Sequence, residues 1–198
     1  MVNDKMVNII LGSQSPRRRE LLSGLDIPHT EVSIDTDESY PAYLQGGDIP
    51  MYISRAKAEA YTRTHALADN DLLITADTIV WLEGQVLGKP HDEQEARKML
   101  RLLSGKTHQV FTAVTFATNR ELITEVDCTD VTFESLTESE IDYYVSRYHP
   151  MDKAGAYGVQ EWIGYIAAGR INGSYFNVMG FPTHLVHRYL REHGITAN

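Results

Sequence analysis

Short apolar runs, each too brief for a helix, recur between stretches of helical spacing, and this alternation constrains the fold more than any other feature of the chain. Val7 to Leu11 is such a run, and it ends at Gly12 as a buried strand would. Pro16 stands where the first turn of a helix accepts proline, so Arg17 to Leu25 is expected to be helical. Leu72 to Thr75 reads as a second buried strand. Ile79 to Leu82 and Gln85 to Leu87 flank Glu83-Gly84 and read as a hairpin, with Asp77-Thr78 at the junction between the two runs.

The helical stretches carry their own start and stop signals. Gln45-Gly-Gly-Asp-Ile-Pro50 is a loop leading into a helix, because Asp48 with Pro50 is a start signal; the helix should run to about His65 with Ile53, Ala56, Ala60 and Tyr61 inward. Asp92 and Glu95 resemble a capping box, after which Ala96, Met99, Leu100 and Leu103 recur at helical spacing until Ser104-Gly105. Thr107 to Ala117 and Glu125 to Phe133 have strand-like density of β-branched and aromatic residues. Thr137 with Glu140 starts another helix, to about Arg147, and a last helix follows Pro182. Strands interleaved with helices, one hairpin and adjacent long strands predict an α/β protein with a mixed, twisted sheet and flanking helices.

At 198 residues the chain is long enough for one substantial core, and it is expected to be a single domain over 1–198, or two tightly joined lobes. No apolar run approaches the roughly 20 residues that span a bilayer, so no membrane association is expected. Met1-Val-Asn-Asp-Lys-Met6 has no cationic region before an apolar stretch, which makes the cytoplasm the expected location. Cys128 is the only cysteine, which excludes an internal disulfide and a Cys-cluster metal site. A formal charge of -9 opposes a polynucleotide partner, but a few placed cations can still hold a triphosphate. The eight histidines have no metal-binding spacing, and neither a Walker-type loop nor a Ser/Cys nucleophile motif is present.

Four groups of residues have side chains suited to chemistry. Ser13-Gln-Ser-Pro-Arg-Arg-Arg19 lies between a strand end and a helix start, where backbone N–H groups, the helix dipole and Arg forks suit phosphate oxygens. Three arginines in a first turn oppose the dipole, so the segment is either an anion site or a solvated basic turn. Asp35, Asp37 and Glu38 follow the first helix, and Asp77 follows an apolar strand; such oxygens suit Mg²⁺ or Mn²⁺ shared with phosphates, and loop acids equally serve solvation. Within Ala76-Asp-Thr78, Asp77 needs a partner to stay ionised.

Lys57 falls on or beside the inward face of its helix, as a snorkelling stem or as a cation for a ligand. Lys89, in Leu87-Gly-Lys-Pro90, occupies a turn from which an ammonium can reach phosphate or simply solvent. The small residues of Met151 to Gln160 leave room for a flat ligand, or else Gly155 and Gly158 mark a bent strand. The Gln160 amide has a donor and an acceptor, suited to a base edge or to water.

Together these segments resemble the Maf family of nucleotide pyrophosphatases. The resemblance covers nearly the whole chain: Ser13-x-Ser-Pro-Arg-Arg18, Glu20-Leu-Leu22, Asp37-Glu38, Arg55-Ala-Lys-Ala58, Ala76-Asp-Thr-Ile-Val80, Val86-Leu-Gly-Lys-Pro90, Leu103-Ser-Gly-Lys-Thr-His108, Asp152-Lys-Ala-Gly-Ala-Tyr-Gly-Val-Gln160 and Ile171-Asn-Gly-Ser-Tyr175. It implies two lobes around a central nucleotide cleft, similar to the inosine triphosphate pyrophosphatases, and a homodimer. By position, Asp77 matches the catalytic acceptor, while Ser13, Arg18, Glu38, Lys57, Lys89 and Lys153 match the polar residues of the phosphate and metal site. Arg17, Thr78 and Gln160 match the positions that accompany preference for dTTP and UTP over the 7-methyl-GTP of a sister branch. The chain departs from the pattern at Gly12, where alanine is common, at Asp37, where glutamate is common, and at Glu161-Trp162, where a small residue often follows the glutamine.

The resemblance therefore implies cleavage of a nucleoside triphosphate to monophosphate and pyrophosphate. In this reading Glu38 and Asp77 would hold Mg²⁺ or Mn²⁺, which would neutralise charge at the phosphates, Asp77 would take a proton from the attacking water, and Arg18, Lys57 and Lys89 would balance the remaining charge on the phosphates. Two other readings are a 7-methyl-GTP pyrophosphatase and a non-enzymatic nucleotide-binding regulator of cell division.

Overall fold

The computed structural model of the chain describes residues 7–195, so the leaderless reading of Met1 to Met6 lies outside the described residues. In chain order the elements are β1 (Asn8–Gly12), α1 (Pro16–Ser23), β2 (His29–Val32), α2 (Asp48–Thr64), β3 (Asp71–Leu82), β4 (Gln85–Leu87), α3 (Glu93–Leu103), β5 (Thr107–Ala117), β6 (Leu122–Phe133), α4 (Glu138–Tyr148), α5 (Trp162–Ala167), β7 (Ala168–Asn172), α6 (Tyr175–Val178) and α7 (Thr183–Glu192). The strands form a seven-stranded sheet in the order β2-β1-β3-β5-β6-β7, with β4 paired to β3. β1 runs parallel to both β2 and β3, whereas β3–β4 and β6–β7 are antiparallel, so the sheet is mixed, as the alternation of elements predicts.

The chain divides into two compact units of non-contiguous segments. One takes in Met1–Asp77, Thr112–Asp127 and Gly180–Asn198, the other Thr78–Phe111 and Cys128–Met179. In the first unit, α1 and α2 each carry the chain from one parallel strand to the next, and Ile10, Ala58, Leu73 and Ala117 form a buried cluster. Phe116 and Tyr189 stack with centroids 3.9 Å apart, which seats α7 on β5. In the second unit a larger core gathers Leu82, Leu100, Val110, Phe133, Tyr144 and Ile163.

Several elements follow their sequence signals closely. Glu83 (φ 50°) and Gly84 (φ 85°) both adopt positive φ, the signature of a tight hairpin turn between β3 and β4. Thr137 and Glu140 close a reciprocal capping box at the start of α4.

Others differ for physical reasons. Asp77-Thr78 is no junction: β3 runs unbroken for 12 residues, because Asp77 finds a cationic partner and need not leave the strand. Asp92 caps α3 through the Glu95 N–H, but the Glu95 carboxylate turns to the His91 N–H at 2.7 Å instead of closing a box. On α2 the cap is Gly47, and the buried face holds Ile49, Ile53, Ser54 and Lys57, while Ala56, Ala60 and Tyr61 are half-buried. The bent strand considered for Met151 to Gln160 is instead a pair of single 3₁₀ turns, Pro150–Asp152 and Ala154–Ala156. The strand β2 has no apolar run at all; register with β1, Ile9 opposite His29 through Gly12 opposite Val32, makes it a strand.

Candidate functional site

In the first unit, the alternation of β3 and the pitch of α2 bring four functional groups into register. Thr75 and Asp77 are two apart on a strand and share a face; Ser54 and Lys57 are three apart on a helix and share a face. The faces meet. Thr75 Oγ1 donates to the Ser54 carbonyl at 2.8 Å, and Lys57 Nζ donates to Asp77 Oδ1 at 2.9 Å. Ser54 Oγ also donates to the Thr75 carbonyl at 3.2 Å and lies 2.8 Å from Thr115 Oγ1 on β5, which is 2.9 Å from Thr124 Oγ1 on β6. This buried ladder of hydroxyls fixes α2 against the sheet, and so fixes Lys57 opposite Asp77.

Lys57 has a second carboxylate, Glu38 Oε1, at 2.7 Å. Lys57 and Asp77 are buried at 9% and 8% exposure, whereas the Glu38 side chain is 49% exposed, so one acid is fixed inside and the other reaches in from a loop. Burial pushes the Asp77 carboxyl above the ordinary carboxylate range, against the pull of Lys57 and Arg18. Arg18 is tethered by two backbone carbonyls, Nε to Gly180 O at 2.8 Å and Nη1 to Ala76 O at 2.9 Å. Burial lowers its pKa, while the charges of Asp77 and Glu38 hold it up. Two carboxylates, an ammonium and a guanidinium thus form a nearly neutral cluster beside the centre of β3.

The other residues of the first unit have separate roles. Ser13 Oγ accepts from the Ser15 N–H at 3.2 Å in the turn before α1, next to half-buried Arg17. Arg19 pairs with Glu31 of β2 at 2.6 Å, so this arginine needs no ligand to balance it. Asp35 and Asp37 are exposed, and Asp37 accepts from Ser39 N–H and Oγ in a local turn, which holds it below the usual carboxylate range. Among the described residues no group of three or more His, Cys, Asp or Glu is arranged to hold a metal. Glu38 and Asp77 converging on one cation are hard oxygen donors of the kind that hold Mg²⁺ or Mn²⁺ when phosphate and water complete the shell.

The second unit holds Thr78, Lys89, Lys153 and Gln160. Thr78 is half-buried on β3, and Lys89 is exposed in the loop after β4. That loop is tied to the segment carrying Lys153, since Gly155 N–H donates to Gly88 O at 3.1 Å. Gly155 has φ 69°, and a Cβ there would lie 2.9 Å from a Val80 methyl, so the position needs glycine twice over. Lys153 Nζ lies between Asp152 Oδ1 at 2.8 Å and Glu161 Oε1 at 3.1 Å. The side-chain oxygen of Gln160 is buried and accepts no hydrogen bond, an acceptor directed at no protein donor.

Sequence reasoning missed Ser54, Thr75 and Thr115. Their signal is their spacing from the charged residues, polar side chains on faces that otherwise read as core. Glu161, where the chain departs from the family pattern, turns its side chain to Lys153 and to the Tyr144 hydroxyl.

A family profile described as Maf-like protein matches residues 8–193. The chain is 52% identical over 193 residues to the dTTP/UTP pyrophosphatase of Porphyromonas gingivalis (strain ATCC BAA-308 / W83), covering 97% of both chains. It is 54% identical over 185 residues to the dTTP/UTP pyrophosphatase of Bacteroides thetaiotaomicron, covering 93% of this chain and 95% of that one. Among solved structures, the Staphylococcus aureus Ham1 protein aligns with a TM-score of 0.49 at 14% identity, over 94% of this chain and 99% of that one.

Proposed function

The chain belongs to the Maf-like protein family, and from that premise we propose that it hydrolyses dTTP and UTP to the monophosphate and pyrophosphate. The observation that carries this reading is the shared grip of Glu38 and Asp77 on one buried ammonium, with Arg18 beside them. Binding a polyanion would be easier without two carboxylates in the same place, unless those carboxylates do chemistry.

Asp77 is the general base. Its carboxylate, fixed in mid-strand opposite Lys57, accepts the proton of the water that attacks the α-phosphorus. Glu38 and Asp77 would hold a divalent cation, which supplies charge neutralisation at the phosphate oxygens. Lys57, anchored through α2, and Arg18, tethered by the carbonyls of Ala76 and Gly180, are preorganised cations for the charge that develops as pyrophosphate leaves. Ser13, Arg17, Thr78, Lys89 and Lys153 bind substrate in the same reading. The bare acceptor of Gln160 suits the N3–H of uracil and thymine, which cytosine lacks.

The reading also includes a divalent-metal requirement, a homodimer and a cytoplasmic location. No helix among the described residues is long and apolar enough to cross a membrane. Pyrophosphate release is measured across the nucleoside triphosphates and 7-methyl-GTP, with Mn²⁺ and after chelation. Turnover of dTTP and UTP that disappears with the metal is the expected result. Greater turnover of the methylated purine rejects the pyrimidine assignment, and binding without release leaves the regulator reading.

A further inference from the structure

We propose that Tyr144 and Glu161 are positioning residues for base selection, holding rigid the Gly158–Gln160 backbone from which the Gln160 amide projects. This inference rests on the pyrimidine pyrophosphatase reading and concerns residues to which that reading gives no role.

Tyr144, on α4, is fully buried, and its hydroxyl is used in both directions. It accepts from the Gly158 N–H at 3.0 Å and donates to Glu161 Oε2. The other Glu161 oxygen takes Lys153 Nζ at 3.1 Å, and the Glu161 N–H donates to Gly158 O at 3.0 Å. Backbone and side chain of Glu161 therefore close a small ring with Gly158 and Tyr144 around the two residues between them. A carboxylate acceptor makes the tyrosine bond charge-assisted, and burial strengthens it.

Steric constraints close the remaining freedom. A Cβ on Gly158 would meet the Glu161 carboxyl and Lys153 Cε at 3.0 to 3.1 Å, so the main chain there is tightly enclosed. A Cβ on Gly164 would lie 1.7 Å from the Val159 carbonyl oxygen, which means that α5 packs directly on the Val159 backbone. Val159 itself is 5% exposed in the core of this unit. The residue between these clamps, Gln160, has the one side-chain oxygen in the segment that is buried without a partner.

A fixed, unpaired acceptor discriminates. A base that brings N3–H satisfies it, whereas one that brings an acceptor leaves two buried groups without a donor. If the backbone can shift, the amide can turn or take up water, and the penalty on the wrong base falls. Without the Tyr144 hydroxyl, the Gly158 N–H and the Glu161 carboxylate both lose a partner inside the unit.

The test compares full-length wild type with Tyr144→Phe, Glu161→Ala and Glu161→Gln. Pyrophosphate release from dTTP and dCTP is measured, together with amide hydrogen exchange of the 158–160 segment. For Tyr144→Phe and Glu161→Ala, KM for dTTP should rise about tenfold with kcat within threefold, the dTTP:dCTP ratio of kcat/KM should narrow about tenfold, and exchange should quicken about tenfold, the size of one lost hydrogen bond. Glu161→Gln keeps an acceptor for Tyr144 and should restore most of the ratio. If Tyr144→Phe does not fold, the Glu161 pair decides alone. An unchanged ratio, or unchanged exchange, overturns the proposal. Failure of the wild type to prefer dTTP defeats the functional reading instead, and the proposal with it; that outcome is seen before any variant is compared.

Discussion

Among the described residues two lysines sit between two carboxylates each, Lys57 and Lys153, and their surroundings differ. Lys57 joins Glu38 to Asp77 in the first unit; Lys153 joins Asp152 to Glu161 in the second. Both ammoniums are nearly buried, at 9% and 8% exposure. Around Lys57 the fixed acid is a buried carboxyl in mid-strand with a raised pKa, and its further neighbours are charges. Around Lys153 the less exposed acid is also bonded by a tyrosine hydroxyl, and the other acid is 57% exposed. The first group sets a buried acid among charges, the arrangement the proposed proton transfer would use. The second disperses its charge into hydrogen bonds and water, the arrangement wanted for holding a loop.

The largest effect expected from this contrast is catalytic. Asp77→Asn keeps the shape of the first group and removes the carboxylate proposed as the base, so kcat for pyrophosphate release should fall by about 10² to 10⁴. Nucleotide affinity, measured by calorimetry, should stay within a few-fold. Near-normal turnover in this variant reassigns the base and removes the reason for setting the two lysines apart.

Removing the lysines themselves comes next. Lys57→Met leaves two acids facing each other with one of them buried, and should lower unfolding free energy by about 3–5 kcal/mol in urea titrations at pH 7. Mn²⁺ should restore part of that loss by taking the place of the ammonium. Lys153→Met should cost about half as much, because Glu161 keeps the tyrosine and Asp152 keeps water. Equal losses, or no rescue by metal at Lys57, would show that the two groups are not different in kind.

The contrast is only partly legible in the sequence. Lys57 and Asp77 are each marked by a charge within an apolar face, a local signal that periodicity exposes. That Glu38 reaches Lys57 is not legible from periodicity, because the loop between Val32 and Asp48 has no period from which a distance follows; only the family resemblance groups the two residues. Tyr144 reads as an ordinary core aromatic of α4 and Glu161 as a departure from family pattern; their bond joins α4 to the turn that caps α5, whose backbone no propensity anticipates. The main elements are legible because glycine, proline and capping residues act over a few positions. β2 is not, since its strand state comes from a neighbour's register.

A third effect separates the units by their response to acid. His108, in the second unit, is 1% exposed, its Nε2 lies 2.7 Å from the Tyr157 hydroxyl, and its Nδ1 has no partner. Burial lowers its pKa from 6.5 to about 4. Between these values the unfolded chain binds a proton that the folded chain refuses, so the contribution is complete above pH 6.5 and is lost as pH falls towards 4, by about 3 kcal/mol in all. Urea titrations across that range should show the slope, and His108→Phe should flatten it. A wild-type slope that survives the substitution places the acid sensitivity elsewhere.

The smallest effect probes how firmly the first lysine is placed. Gly12 ends β1 opposite Thr75, and a Cβ there would lie 2.5 Å from Ile34 Cδ1 and 2.9 Å from Thr75 Cγ2. The isoleucine methyl can swing away, but Thr75 cannot turn freely while its hydroxyl donates to the Ser54 carbonyl. Gly12→Ala should therefore cost about 1 kcal/mol by overpacking, and Ile34→Val in the same chain should recover part of it. The threonine passes any displacement to Ser54 and α2, so kcat should fall two- to threefold in Gly12→Ala and stay down in the double variant if Thr75 is the constraint. Recovery of both stability and kcat on trimming Ile34 would show that the hydroxyl ladder tolerates movement, and that Lys57 is held by its two carboxylates alone.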